Sequence, residues 1–150
     1  MSDDLVGRYR RAYVRLWDDP KFRKLSATEQ RVCLYVLLGP QSNRIGLFKF
    51  STPKAADDLN LGIETTKKAI AAVLATFEWQ FDPDARVIYL PNWWRWNTSV
   101  NTNILLGNLK DFSEIPTCGL AEAFAQNTAY LPPSFTKASG KLWGNVRQPQ

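Results

Sequence analysis

The stretch Thr52-Pro-Lys-Ala-Ala-Asp-Asp-Leu-Asn-Leu-Gly-Ile-Glu-Thr-Thr-Lys-Lys-Ala-Ile-Ala-Ala-Val73 decides the fold. Ser51-Thr52-Pro53 supplies a capping residue and a proline for a first helical turn, so a helix is predicted over 53–59. After Asn60-Leu61-Gly62 a second helix is predicted from 63 to about 76. A helix-turn-helix needs a small residue where its two helices cross and a residue tolerant of positive φ in the turn. It also needs a small or apolar stripe on the inner side of the second helix. Counting from Thr52, Ala56 is the small crossing residue, Leu59 seals the first helix and Leu61 is the apolar plug. Asn60 occupies the turn, and asparagine enters the left-handed region more readily than other non-glycine residues. Thr66, Ala69, Ile70, Val73 and Leu74 recur at three- and four-residue spacing and face inward. Glu64, Thr65, Lys67, Lys68 and Ala71 are left on the outer face. The same offsets also suit a plain helical hairpin, in which the two lysines are a solvated face.

The flanking sequence adds strands. Trp79-Gln80-Phe81, a turn at Asp82-Pro-Asp84-Ala85, and Arg86-Val-Ile-Tyr-Leu90 read as a β-hairpin, and 45–50 as a third strand ahead of the first helix. A helix-turn-helix followed by a hairpin is the winged-helix order. The expected fold class is therefore α+β: a winged helix-turn-helix with a small β-hairpin wing and additional C-terminal helices. Upstream, Tyr13-Val-Arg-Leu-Trp17 alternates and reads as a short strand. Asp19-Pro20 opens a short helix holding Phe22 and Leu25. Ser26-Ala-Thr-Glu29 is a capping box for a helix to about Leu38, ended by Gly39-Pro40. Its second half is apolar nearly all round, which places it in the core with Cys33 packed rather than reactive. Downstream, helices are predicted over about 103–112 and 119–126. The expected organisation is a basic arm over 1–12, the winged helix over 13–97, a helical extension over 98–127 and a poorly ordered tail over 128–150.

Composition narrows the chemistry. The 150 residues are 45% hydrophobic and 22% charged, a globular balance. No apolar run approaches the ~18 residues of a membrane span, and the first residues lack a signal-peptide apolar block. With only two cysteines, the expected location is the cytoplasm (cytosol or nucleoid of a bacterial host), away from any membrane. Histidine is absent, which removes Ser-His and Cys-His nucleophile pairs and the commonest metal ligand. No phosphate-binding glycine loop occurs. Asp57 and Asp58 point to different faces of a helix, and Asp82 and Asp84 serve a turn. No enzyme activity and no cofactor are expected.

The charge is more informative. Of the net +5, the whole excess lies in residues 1–75, which hold thirteen basic and eight acidic side chains. An anionic partner is implied, and duplex DNA is the expected one. In that reading the second helix enters the major groove, with Lys67 and Lys68 on phosphate or guanine, Thr65 and Ala71 beside them, and Glu64 near a cytosine amino group. Thr52 and Lys54 of the first helix, Arg86 of the wing, and Arg8, Arg10 and Arg11 of the arm complete the candidate contacts. The run Trp93-Trp94-Arg95-Trp96 has two readings. Trp94 and Arg95 form a stacking platform for single-stranded DNA or an anchor for a protein partner. Alternatively Trp93 and Trp96, three apart, pack the segment onto the core.

A set of short motifs also resembles a known family: Arg15-Leu-Trp17 to Lys24-Leu-Ser26, Leu38-Gly-Pro40, Ile45-Gly-Leu-Phe48, Ala55-Ala-Asp-Asp-Leu59, Phe81-Asp82, Pro91-Asn-Trp93, Asn97 and Asn103, then Leu109-Lys-Asp111 to Ile115-Pro116. Over roughly residues 13–125 these are similar to phage replication proteins of the replisome-organiser type, whose N-terminal winged helix is akin to that of the bacterial primosomal protein DnaD. The resemblance implies a DNA-binding or self-associating domain that marks or opens an origin and recruits helicase-loading proteins. Trp94 and Trp96 depart from it, being heavier than that segment calls for, and such proteins carry a further C-terminal partner-binding region. Two alternatives stay open: a transcriptional repressor on the same fold, and a module that self-assembles as a homodimer or larger through the wing and the aromatic run.

Overall fold

The computed structural model describes residues 14–93 and 102–126 together with Arg10, Ala12, Phe135 and Lys137. These residues form a mixed α+β structure of six helices and one small three-stranded antiparallel sheet. The chain divides into two compact units. One comprises the described residues up to Pro40 with Thr52–Phe77; the other comprises Gln41–Ser51 with the described residues from Glu78 onward.

In the first unit, Val14–Asp18 winds as a 3-10 turn, closed by Asp19 N–H donating to the Leu16 carbonyl at 3.1 Å. This corrects the strand expected over 13–17. Alternation makes a strand only where a neighbour pairs with it and one face is covered. Here Val14 and Trp17 are both exposed, and Trp17 instead meets Phe22 edge-on at 5.3 Å. Helix α1 (Pro20–Lys24) follows, its Asp19 cap accepting from Lys21 N–H at 2.8 Å. The capping box forms as expected: Ser26 Oγ accepts from Glu29 N–H at 3.1 Å and Glu29 Oε1 from Ser26 N–H at 2.9 Å. It opens α2 (Ala27–Leu38), which buries Val32, Cys33 and Val36. Helices α3 (Thr52–Leu59) and α4 (Ile63–Phe77) complete the unit, and α4 packs against both α2 and α3.

The second unit is built around the sheet. Strand β1 (Leu47–Lys49) pairs with β3 (Val87–Tyr89), which pairs on its other edge with β2 (Gln80–Asp82). The register sets Phe48 and Phe81 against Ile88. As the central strand, β3 is buried at every residue. Gln41 closes the loop ahead of α3 like a one-residue strand: its side-chain amide accepts from Ser51 N–H at 2.7 Å and donates to the Ser51 carbonyl at 3.1 Å. Helices α5 (Thr102–Ser113) and α6 (Gly119–Gln126) follow. Phe124 of α6 stands 5.9 Å from the Tyr89 ring and stacks on Phe112 of α5 at 5.4 Å. Most of the segment read as a tail lies outside the described residues. Phe135 within it is fully buried, edge-on to Phe124 at 5.7 Å and to Phe112 at 6.4 Å.

Candidate nucleic-acid interface

The turn between α3 and α4 is held by two backbone bonds. Asn60 N–H donates to the Asp57 carbonyl at 3.1 Å and Leu61 N–H to the Ala56 carbonyl at 3.0 Å. With Asn60 at φ 55°, this is the Schellman arrangement that satisfies the last carbonyls of a helix and reverses the chain. Ala56 and Leu59 are buried, and Leu61 is half-buried. On α4 the inward stripe is Thr66, Ala69, Ile70 and Val73, all buried, with Leu74 half-buried. The Thr66 hydroxyl, buried on this stripe, is satisfied by donating to the Gly62 carbonyl at 2.8 Å.

The opposite face of α4 carries Glu64, Thr65, Lys67, Lys68 and Ala71, every one exposed. Lys67 Nζ lies 3.7 Å from Glu64 Oε1, a loose exposed pair one helical turn apart. Lys68 makes no ion pair among the described residues. On α3, Thr52 is half-buried and Lys54 is committed to Asp58 at 3.1 Å. The Tyr35 hydroxyl also donates to Asp58 at 2.6 Å. The hydroxyl first, then the lysine, hold the Asp58 carboxyl below the usual range. Asp57 and Asp58 thus do not act as a pair. Asp82 accepts from Asp84 N–H and Ala85 N–H at 2.9 and 3.0 Å and so serves its turn.

Arg86 is exposed at the end of the hairpin turn with φ 56°. Arg10 is half-buried, while Arg8 and Arg11 lie outside the described residues, as do Trp94 and Arg95. Trp93 is buried, which is the packing reading at that position. Its indole N–H donates to the Arg44 carbonyl at 2.8 Å, and its ring fills the space a Cβ would occupy at Gly46, whose φ is +72°. Cys33 is likewise packed, its thiol pushed up to about 12 by burial and, secondarily, by Asp19.

Two features escape a reading of the sequence. Arg44 grips Asp111 with two bonds, Nε to Oδ2 at 2.9 Å and Nη2 to Oδ1 at 3.0 Å, and donates from Nη2 to the Gly107 carbonyl at 3.0 Å. Nothing local announces a partner 67 residues away. Trp17 is 59% exposed, and its one sequence signal is a position between Arg15 and Asp18. Among the described residues, no cluster of acidic, cysteine or histidine side chains is placed to hold a metal ion, and no helix is long and apolar enough to cross a membrane.

No family model matches the chain, and neither a curated protein nor a solved structure does.

Proposed function

We propose that the protein binds duplex DNA as a winged helix-turn-helix, with α4 as the recognition helix and the β2–β3 hairpin as the wing. The observation that carries this is the α3–turn–α4 arrangement, in which a Schellman turn at Asn60 joins α3 to α4, whose buried stripe leaves an exposed polar face holding Lys67 and Lys68. A helix with its side chains is about 10–12 Å across, a fit to a major groove ~12 Å wide, and from Glu64 to Ala71 its outer face runs about 10 Å along the axis. The basic excess before residue 76 supports an anionic partner. The resemblance to phage replisome organisers supports a role in replication initiation, with helicase-loading proteins as further partners. A repressor would use the same surface, and the genetic context of the bound site separates the two roles.

The test is selection of bound fragments from the protein's own replicon, followed by titration of a recovered duplex at several salt concentrations. Binding is expected to fall with salt at a slope of roughly −0.9 per phosphate contact. Lys68→Ala is expected to weaken it more than Lys67→Ala, because Lys67 already has Glu64 beside it. Recovery from an origin supports the replication role, and recovery from promoters supports the repressor. No duplex bound, or binding indifferent to salt and to both lysines, overturns the proposal.

A further inference from the structure

We propose that Trp17 and the cations around it form a second nucleic-acid surface, a stacking platform for single-stranded nucleic acid, independent of the α4 face. Trp17 leaves 59% of its surface in water although it is the largest side chain of its segment. It is nevertheless positioned, because Phe22, itself fully buried, meets the indole edge-on at 5.3 Å and 85°. A held, exposed aromatic ring is what base stacking requires.

The surroundings select the ligand. Arg15, Lys21, Arg23 and Lys24 are all exposed. The last three leave a helix about 7.5 Å long and make no ion pair among the described residues. Of the two acids in the segment, Asp19 is spent on the α1 cap, which leaves Asp18. Val14 is the only other strongly exposed large apolar residue of the turn. Among the described residues, one aromatic ring and one valine beside three lysine and arginine side chains that make no ion pair offer little apolar surface to a protein partner or to lipid chains. They suit a flexible polyanion with π-faces.

The experiment uses the full chain and fluorescein-labelled oligo(dT) and oligo(U), read by anisotropy at low and moderate salt. Trp17→Leu keeps an apolar side chain without a π-face and is expected to weaken binding roughly 5- to 160-fold, the loss of one stacked base. Trp17→Phe keeps a ring and is expected to retain most of the affinity. Lys21→Ala with Lys24→Ala is expected to flatten the salt slope by about 0.7 per lost phosphate contact. Duplex affinity is expected to stay within about twofold in both Trp17 variants while it falls in Lys67→Ala/Lys68→Ala, so either surface can fail without the other. Oligonucleotide binding that is absent, or equal in Trp17→Leu and the parent, overturns the proposal. So does a Trp17→Leu variant whose only change is in sedimentation mass or in binding to vesicles of phosphatidylserine and phosphatidylcholine. Those outcomes assign the surface to a second copy of the chain or to a membrane.

Discussion

Gly107 lies at the middle of α5, where alanine is ordinarily more stable than glycine by about 0.8–1.0 kcal/mol. In this chain the Cβ of Gly107→Ala meets the Arg44 guanidinium, 2.7 Å from its Cζ and closer still to Nη1. The clash is with the far end of a flexible side chain, so the helix persists and the guanidinium moves. Moving it breaks the two-point grip on Asp111 and the bond to the Gly107 carbonyl. The Asp111 side chain is 15% exposed and that of Arg44 47%, so solvent screens one partner, and the grip is worth about 1–2.5 kcal/mol. Gly107→Ala alone is therefore expected to be neutral to destabilising by up to about 1.5 kcal/mol. In an Arg44→Ala background nothing occupies that space, and the same substitution is expected to stabilise by about 0.8–1.0 kcal/mol. Urea unfolding of the four proteins at pH 7 measures the coupling, expected at about 1–2.5 kcal/mol. In heating, each kcal/mol corresponds to roughly 2–4 °C in a chain of this size. A gain of the same size in both backgrounds would show that Arg44 does not occupy the Gly107 face and would refute the reasoning.

Three further expectations follow from individual residues. Asn60 sits at φ 55°, so Asn60→Ala is expected to cost about 1 kcal/mol and Asn60→Gly to be nearly neutral, both read from urea midpoints. Tyr35→Phe is expected to raise the Asp58 carboxyl midpoint in an NMR titration, and Lys54→Ala to raise it less, since the hydroxyl bond is the larger cause. Asp58 titrates low in the folded state, so its contribution is present above the ordinary carboxylate range and fades as pH falls through its lowered midpoint. Cys33 has the opposite sign. Its folded pKa is raised from 9.0 to about 12, so its contribution is whole below the ordinary thiol range and drains away as pH climbs toward 12. A disulfide reagent at pH 8 is expected to react promptly with half-buried Cys118 alone, with Cys33 reacting on unfolding.

How far the fold can be read from the residues depends on how far apart the interacting groups lie. Asp19 with Lys21, Ser26 with Glu29, and Asn60 with the end of α3 all act within five residues, and each sits in the structure as its side-chain chemistry demands. The inward stripe of α4 is legible for a related reason, since a period of three and four is a property of the helix itself. The strand expected at 13–17 fails because alternation is a necessary sign of a half-buried strand and an insufficient one. Val14 and Trp17 have no sheet neighbour to make the alternation count. Glu78 and Arg86 enter the left-handed region at φ 59° and 56° without the local side-chain bond that helps asparagine. Both side chains are exposed, and Arg86 closes the four-residue loop between β2 and β3, its carbonyl accepting from Phe50 N–H at 2.8 Å. Arg44 with Asp111 and Phe135 with Phe124 are fixed by the closure of the second unit and leave no mark on neighbouring residues.

The charge also gains meaning from the placement of the acids rather than from their number. Asp19 and Glu29 cap helices, Asp82 holds a turn, Asp58 binds Tyr35 and Lys54, and Asp111 binds Arg44. Each is a short side chain kept close to the backbone by donors that offset its field. Lys21, Arg23, Lys24 and Lys68 carry their charges outward on long stems and make no ion pair among the described residues. Those four cations are open to an anion, with Asp18 beside α1 and Glu64 on α4 as exposed acids in the same segments. Both clusters belong to the first unit, one on α1 and one on α4. Under the two proposals their salt slopes are expected to differ, because duplex and single strand condense counterions differently, at roughly 0.9 and 0.7 per contact. Titrating one protein against both ligands thus counts the contacts on each surface separately, and substitutions at Lys68 and at Lys21 must then flatten different lines.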